Sequence, residues 1–473
     1  MKFNNIDALA DRQLSLFNEP KKARSSLSYY DRLVGLLAEN LDFHNQLSNY
    51  ASHNFHSFPA KFPPQLPKLF IHELTEPNDI VLDPMLGSGT TLVEAFVANR
   101  RGFGFDIDPL AIKISKVKTT PLHKRDINES ASRIYLNAKN EYNKNEDILL
   151  NQLEAYFESK TKQFLDNWFL VETQLELFCL WKEIQRVKDK ALRNYFEVVF
   201  SSTIITKSGG VSLALDLGHT RPHKVKALFD ASGTVIYGDE NFDLNKKRYI
   251  TKTKKSAFEE FVKKTRQNIN SVLPFYTQGH KPAISFGDSQ NMSLTNNSVD
   301  LIITSPPYAS NAIDYMRAHK FSLVWFGYPI DKLTEKRNEY IGSESTRNYM
   351  FESLPEFTTN KILEISNRDK KRGNVLRRYY SEMKKSLAEM HRVLKPQKAA
   401  VVVVGSSVMK GIDTETHHCL KDIGLSLGFQ DPIIGVRKLD RNKRMMPAGM
   451  STDYNSQIQK RMHEEYVIGF YKP

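Results

Sequence analysis

The chain has 473 residues, 67 lysines and arginines against 54 aspartates and glutamates, and a formal net charge of +13. That is room for about two or three domains, and the basic excess favours a polyanionic partner. Cys179 and Cys419 are too few for a disulfide framework, and no apolar run approaches the roughly 18 residues of a membrane span, so a secreted disulfide scaffold and a helical membrane protein are both excluded. With a polar start, Met1-Lys2-Phe3-Asn4-Asn5, unlike a secretion signal, the expected location is the cytoplasm, with no membrane partner. Neither cysteine follows a proline or closes a strand, which leaves no visible nucleophile for a covalent cysteine mechanism.

Residues 1–50 are polar and mixed, with Leu33, Leu36, Leu37 and Leu41 at helical spacing, and read as a helical preface. The segment Phe58-Pro59-Ala60-Lys61-Phe62-Pro63 then precedes an apolar strand, Ile80-Val81-Leu82. That strand runs into Asp83-Pro84-Met85-Leu86-Gly87-Ser88-Gly89-Thr90-Thr91 and a helical pattern from Leu92 to Arg101. Strand, glycine turn and helix start follow one another here. Gly87 and Gly89 allow close approach of backbone to a ligand, and Asp83 sets a carboxylate at the strand's carboxyl end, where open α/β sheets bind ligands. A phosphate loop is excluded: Gly-x-x-x-x-Gly-Lys-Ser/Thr is absent, and an acidic residue ahead of the glycines repels phosphate and suits a cation. A second strand, Gly102 to Pro109, carries Asp106 some twenty residues past the turn, the spacing of a carboxylate that accepts from ribose hydroxyls.

Between Lys118 and Pro282 lies far more chain than a strand–helix–strand crossover needs, so residues 119–281 are an insertion. Residues 127–200 have helical apolar spacing and predict helices. A turn-rich stretch with Arg221 and Lys224 follows, and then a basic tail. From Asn241 to Asn270 there are nine lysines and arginines, Lys252, Lys254 and Lys255 among them, against three carboxylates. The sheet resumes at Ile284-Ser285-Phe286, with Gly287-Asp288 as its exit. Next comes Asp300-Leu301-Ile302-Ile303-Thr304, an apolar strand ending abruptly in Ser305-Pro306-Pro307-Tyr308.

Two prolines leave that strand rigidly and donate no N–H, so their carbonyls stay free to accept. Ser305 adds an acceptor, and Tyr308 an aromatic face on which a planar base stacks for about 1–3 kcal/mol. Further on, residues 311–326 predict a helix, 328–374 a charged irregular loop, 379–394 a helix, 399–404 a buried strand, 414–427 a helix and 464–471 a closing strand. His417-His418-Cys419 has no partner pair at ligand spacing, and adjacent histidines on a helix point apart; no metal site is expected.

These motifs, in this order, resemble the S-adenosylmethionine-dependent DNA amino-methyltransferases, which methylate N4 of cytosine or N6 of adenine. Asp83 to Thr90 matches the family's Asp-Pro-x-x-Gly-x-Gly-Thr, and Ser305 to Tyr308 its catalytic Asp/Asn/Ser-Pro-Pro-Tyr. The Phe58 segment is similar to the one that folds over the methionine end of the cofactor, and Gly287-Asp288 to the turn beside its adenine. The resemblance implies an α/β fold, a doubly wound Rossmann-like methyltransferase sheet of seven strands with a large, mainly helical insertion. Residues 51–118 and 282–473 would form the catalytic domain, and 119–281 a DNA target-recognition domain. It further implies S-adenosylmethionine held by Phe58, Pro59, Ala60, Phe62, Asp83, Pro84, Gly87, Gly89, Thr90, Asp106 and Asp288. The target base would meet Ser305, Pro306, Pro307 and Tyr308. Double-stranded DNA would meet Arg221, Lys224, Lys252, Lys254 and Lys255, and a cognate restriction endonuclease is the implied protein partner. Serine at the motif head resembles the cytosine-N4 branch; the adenine-N6 product stays open, as do an RNA methyltransferase and a non-catalytic nucleic-acid-binding subunit. The insertion departs from the familiar orders by preceding Gly287-Asp288.

Overall fold

The computed structural model describes residues 27–44, 46–58, 61–144, 146–206, 209–215, 224–238, 251–274, 277, 279–309, 314–439 and 464–473. The strands within them are β1 (Ile80–Asp83), β2 (Arg101–Asp106), β3 (Ala227–Phe229), β4 (Val235–Gly238), β5 (Thr251–Thr253), β6 (Ala283–Phe286), β7 (Val299–Thr304), β8 (Leu394–Val404), β9 (Val408–Met409), β10 (Ile412–Asp413), β11 (Gln430–Lys438) and β12 (Glu464–Lys472).

The predicted strands Ile80–Leu82, Asp300–Thr304 and Ala399–Val404 lie side by side as β1, β7 and β8, because runs this apolar are stable only when covered on both faces. The seven-stranded sheet has the order β11-β12-β8-β7-β1-β2-β6. Strands β6, β2, β1, β7 and β8 run parallel, whereas β12 is antiparallel to β8 and to β11. Alternate residues supply the two cores: Val81, Leu301, Ile303, Val401 and Val403 on one face, Leu82, Ile302, Val402 and Val404 on the other. The chain winds outward through β1, β2 and β6, then returns to the other side of β1 with β7. The carboxyl ends of β1 and β7 therefore flank the point where winding reverses, and there an open sheet leaves a crevice.

The leucines of the preface belong to the helix Tyr29–Ala38 and its exit, and Leu33, Leu36, Leu37 and Leu41 pack on the sheet. The insertion's helices run through 124–204 and 257–268, joined by a small sheet of order β4-β3-β5. They share one apolar cluster with the helices Pro109–Lys118 and Tyr315–Leu323, so Phe196, Phe200 and Phe261 sit in the same core as Ile114, Phe321 and Trp325.

Several boundaries move. The helix after the glycine turn spans Thr90–Val97, and Arg101 already opens β2; Asn99, at φ 55°, supplies the left-handed turn between them. The predicted loop at 328–374 contains the helices Ile330–Lys336 and Glu356–Arg368, whose apolar positions are too sparse to stand out from their charges. The β11 strand was not expected: it contains Asp431 and Pro432 and has a register irregularity between Gln430 and Ile433, as an edge strand tolerates. Among the described residues no helix is long and apolar enough to cross a membrane.

Candidate active site

The glycine turn is built by its neighbours. Gly87 and Gly89 have φ of 48° and 74°, and a Cβ on Gly89 would lie 2.6 Å from Ser115 Oγ. Ser115 Oγ donates to the Gly87 carbonyl at 3.2 Å and the buried Lys118 Nζ to the Ser88 carbonyl at 2.7 Å, fastening the turn to the helix Pro109–Lys118. The Gly87 N–H donates to Asp106 Oδ2 at 2.7 Å. That donor is thus committed to a carboxylate, as suits a turn that does not hold phosphate.

Asp106 ends β2, half-buried, and its Oδ1 accepts from the Asp108 N–H at 2.8 Å. Burial, and then the charge of Asp108, push the Asp106 carboxyl up to about 7. Asp108 goes the other way. Burial opposes its charge, but His319 Nδ1 at 2.5 Å and the Leu110 and Ala111 N–H groups, which it caps, hold its carboxyl below the ordinary range.

An open cleft lies over the ends of β1, β2 and β7. Of the residues singled out from sequence, Phe58, Phe62, Pro84, Gly87, Thr90, Asp106, Asp288, Ser305 and Pro307 line it. Asp83 does not. It is buried under the turn and accepts from Thr304 Oγ1 at 2.7 Å and the Met85 N–H at 3.3 Å, tying β1 to β7; burial pushes its carboxyl up to about 6. Its carboxylate therefore secures the crevice rather than facing a cationic ligand. Gly89, Pro306 and Tyr308 also lie outside the lining. Pro59, Ala60 and Arg221 fall outside the described residues.

Sequence reasoning missed Lys61, Tyr315, Tyr340 and Ile341, which close the cleft. Phe58 stacks on Tyr315 with centroids 5.3 Å apart and planes at 26°. Lys61 Nζ donates to the His53 and His56 carbonyls at 3.0 and 3.1 Å, and His53 Nε2 pairs with Glu94 Oε1 at 2.6 Å, so the segment before Phe62 is fixed to the helix Thr90–Val97. Burial lowers the pKa of His53 and takes that of His56 down to about 3; both imidazoles are buried, and His56 Nε2 meets Ser201 Oγ of the insertion. No sequence signal marks Tyr340, because it reaches the cleft from a segment with neither strand nor helix periodicity.

At the end of β7, Ser305 opens onto the cleft and Pro306 is buried. The Tyr308 hydroxyl donates to Glu465 Oε1 at 2.8 Å. Burial pushes the thiols of Cys179 and Cys419 up to about 12, which suits neither to nucleophilic chemistry. Among the basic residues, Lys224 Nζ bonds Asn167 Oδ1 at 3.1 Å and lies over the Tyr237 ring. Lys252 turns inward: its Nζ donates to the Ser212 and Ala214 carbonyls, and burial takes it down to about 7. A phosphate contact from Lys252 does not fit this arrangement, because the group is buried and directs two of its donors into the fold.

Strand order, reversal point and a cleft with acidic and glycine walls define a doubly wound, Rossmann-like cofactor-binding fold. Residues 12–117 match the family model described as DNA methylase. Type II methyltransferase M.MvaI of Kocuria varians is 26% identical over 466 residues, covering 93% of this chain and 95% of that protein. Type II methyltransferase M.MjaII of Methanocaldococcus jannaschii is 25% identical over 59% of this chain and 63% of its own, and M.PvuII of Proteus hauseri 35% identical over 17% and 27%. These similarities support the S-adenosylmethionine-dependent DNA amino-methyltransferase family that the motifs resemble. The cleft fits that cofactor: Asp106 keeps acceptor capacity toward a ribose, Phe58 and Tyr315 offer apolar aromatic walls, and the left-handed Gly87 leaves no Cβ in the way.

Proposed function

We propose that this protein transfers a methyl group from S-adenosylmethionine to the exocyclic N4 of cytosine in double-stranded DNA, as the modification half of a restriction–modification pair. The observation that carries the reading is that Ser305 and Pro307 share one cleft with Gly87 and Asp106, so an amino-proton acceptor stands beside the cofactor cradle. The cofactor, when bound, supplies an electrophilic sulfonium methyl. An exocyclic amine is a poor nucleophile because its lone pair is delocalised into the ring. A hydroxyl at Ser305 and a carbonyl at Pro306, accepting from the amino protons, pull the nitrogen toward tetrahedral geometry and free that pair. Ser305 orients the amine and has no need to deprotonate it. The base must leave the duplex to reach Ser305, and Tyr308, beside the cleft rather than in its lining, supplies the face that receives it. The insertion, residues 119–281, reads the target, with Lys224, Lys254 and Lys255 on the phosphates. Type II methyltransferases among the relatives support a duplex DNA substrate and a partner endonuclease. Serine at the motif head supports cytosine. Amplified, unmodified genomic DNA treated with the enzyme and digested to nucleosides should contain N4-methylcytosine by mass spectrometry. Finding N6-methyladenine alone would reject cytosine and leave the amino-methyl chemistry standing.

A further inference from the structure

Stacking a base requires the Tyr308 ring and not its hydroxyl; a phenylalanine would offer the same face. Yet this hydroxyl, on a half-buried residue, is partnered by a buried carboxylate. It donates to Glu465 Oε1 at 2.8 Å, and the other oxygen of the same carboxylate accepts from Arg437 Nη1. Glu465 and Arg437 are only 9% and 8% exposed, and they are cross-strand neighbours on β12 and β11. Their place follows from topology. Because β12 is antiparallel to β8, with Tyr466 opposite Val404, it begins where the parallel strands end, and its second residue reaches the chain leaving β7. Burying an ion pair is costly, and among the described residues each oxygen of this carboxylate meets a different partner.

We infer that Glu465, backed by Arg437, is a positioning residue for methyl transfer: it fixes the Tyr308 ring in the orientation that presents its face to the target base. The inference rests on the reading of Tyr308 as the base platform. Neither side chain lines the cofactor cleft, so cofactor affinity should not register the change, whereas turnover should.

The test is a double-mutant cycle on the full chain, with labelled methyl incorporation into amplified genomic DNA at saturating cofactor and DNA, and cofactor affinity by calorimetry. Tyr308→Phe removes the hydroxyl alone. Arg437→Met with Glu465→Met removes the pair together and strands no buried charge. Each should lower kcat by roughly tenfold or more while cofactor Kd stays within about twofold, and the combined loss should fall well short of the product of the two, since both break the Tyr308–Glu465 connection, although Tyr308→Phe also removes the hydroxyl's contact with Ser305. Glu465→Gln, which keeps an acceptor, should retain most of the rate, and Tyr308→Phe alone tests the connection should the methionine pair fail to fold. A parental rate in Tyr308→Phe, or losses that multiply, would overturn the inference while the wild-type enzyme still methylated DNA. A wild-type enzyme that leaves DNA unmethylated would instead overturn the base-platform reading, and the inference with it.

Discussion

Asp106 offers the sharpest quantitative test, because burial and Asp108 leave its carboxyl near 7 in a cleft where a ribose would require the charged form. If binding selects the carboxylate, apparent affinity scales with the ionised fraction, about one in eleven at pH 6 and about nine in ten at pH 8, a tenfold rise worth about 1.4 kcal/mol. Binding near pH 7 should then release roughly half a proton from this group, readable by calorimetry in buffers of different ionisation enthalpy. Asp106→Asn removes the charge and one acceptor. At pH 8 it should weaken S-adenosylmethionine binding by about 1.5–3 kcal/mol, the range for hydrogen bonds to charged groups. At pH 6 the wild-type protein is itself mostly protonated there, so the mutant's deficit should shrink about tenfold. The ratio of the two affinities cancels the titration of the cofactor's own amine. A ratio flat between pH 6 and 8 would refute the reasoning. The same shift has a sign for stability: a carboxyl raised in the native state binds more protons there than in the unfolded chain. The cofactor-free protein should therefore lose stability as pH rises from about 4 to 7, with Asp83, raised to about 6, acting in the same direction.

Ser305→Ala should leave cofactor affinity intact while methyl transfer falls by about 10²-fold or more, and an unchanged rate would displace the proposed amine acceptor. Gly89→Ala, at φ 74° and with its Cβ 2.6 Å from Ser115 Oγ, should cost at least about 1–2 kcal/mol and weaken cofactor binding; an unaltered thermal midpoint would show that the turn relaxes freely. Neutralising Lys254 and Lys255 should flatten the salt dependence of DNA binding by up to about one slope unit per lost phosphate contact. Lys252→Met should leave that slope alone and lower stability instead, because the Ser212 and Ala214 carbonyls lose their donor.

The parts legible in the sequence are those governed by local chemistry. Apolar runs at 80–82, 300–304 and 399–404 announce buried strands, and Gly87-Ser88-Gly89 announces a turn; each follows from its own residues, and each stands where it was expected, the two glycines with left-handed backbone. What faces what is another matter. Asp83 and Asp106 are similar acids at similar strand ends, yet one ties β1 to β7 beneath the turn and the other lines the cleft. Lys252 and its neighbours in the basic tail look alike, but the backbone of β5 aims Lys252 at two carbonyls of the insertion. Tyr340, Tyr315 and Glu465 carry no local mark at all. They join the site because the sheet reverses beside β1 and a late antiparallel strand begins next to the end of β7, bringing residues more than 150 positions apart within hydrogen-bonding distance. Periodicity and turn chemistry are properties of neighbours along the chain, so the sequence determined the elements and the motifs. Partnership and burial depend on the packing of the whole, so the tertiary structure alone decided which of those carboxylates, lysines and rings meet.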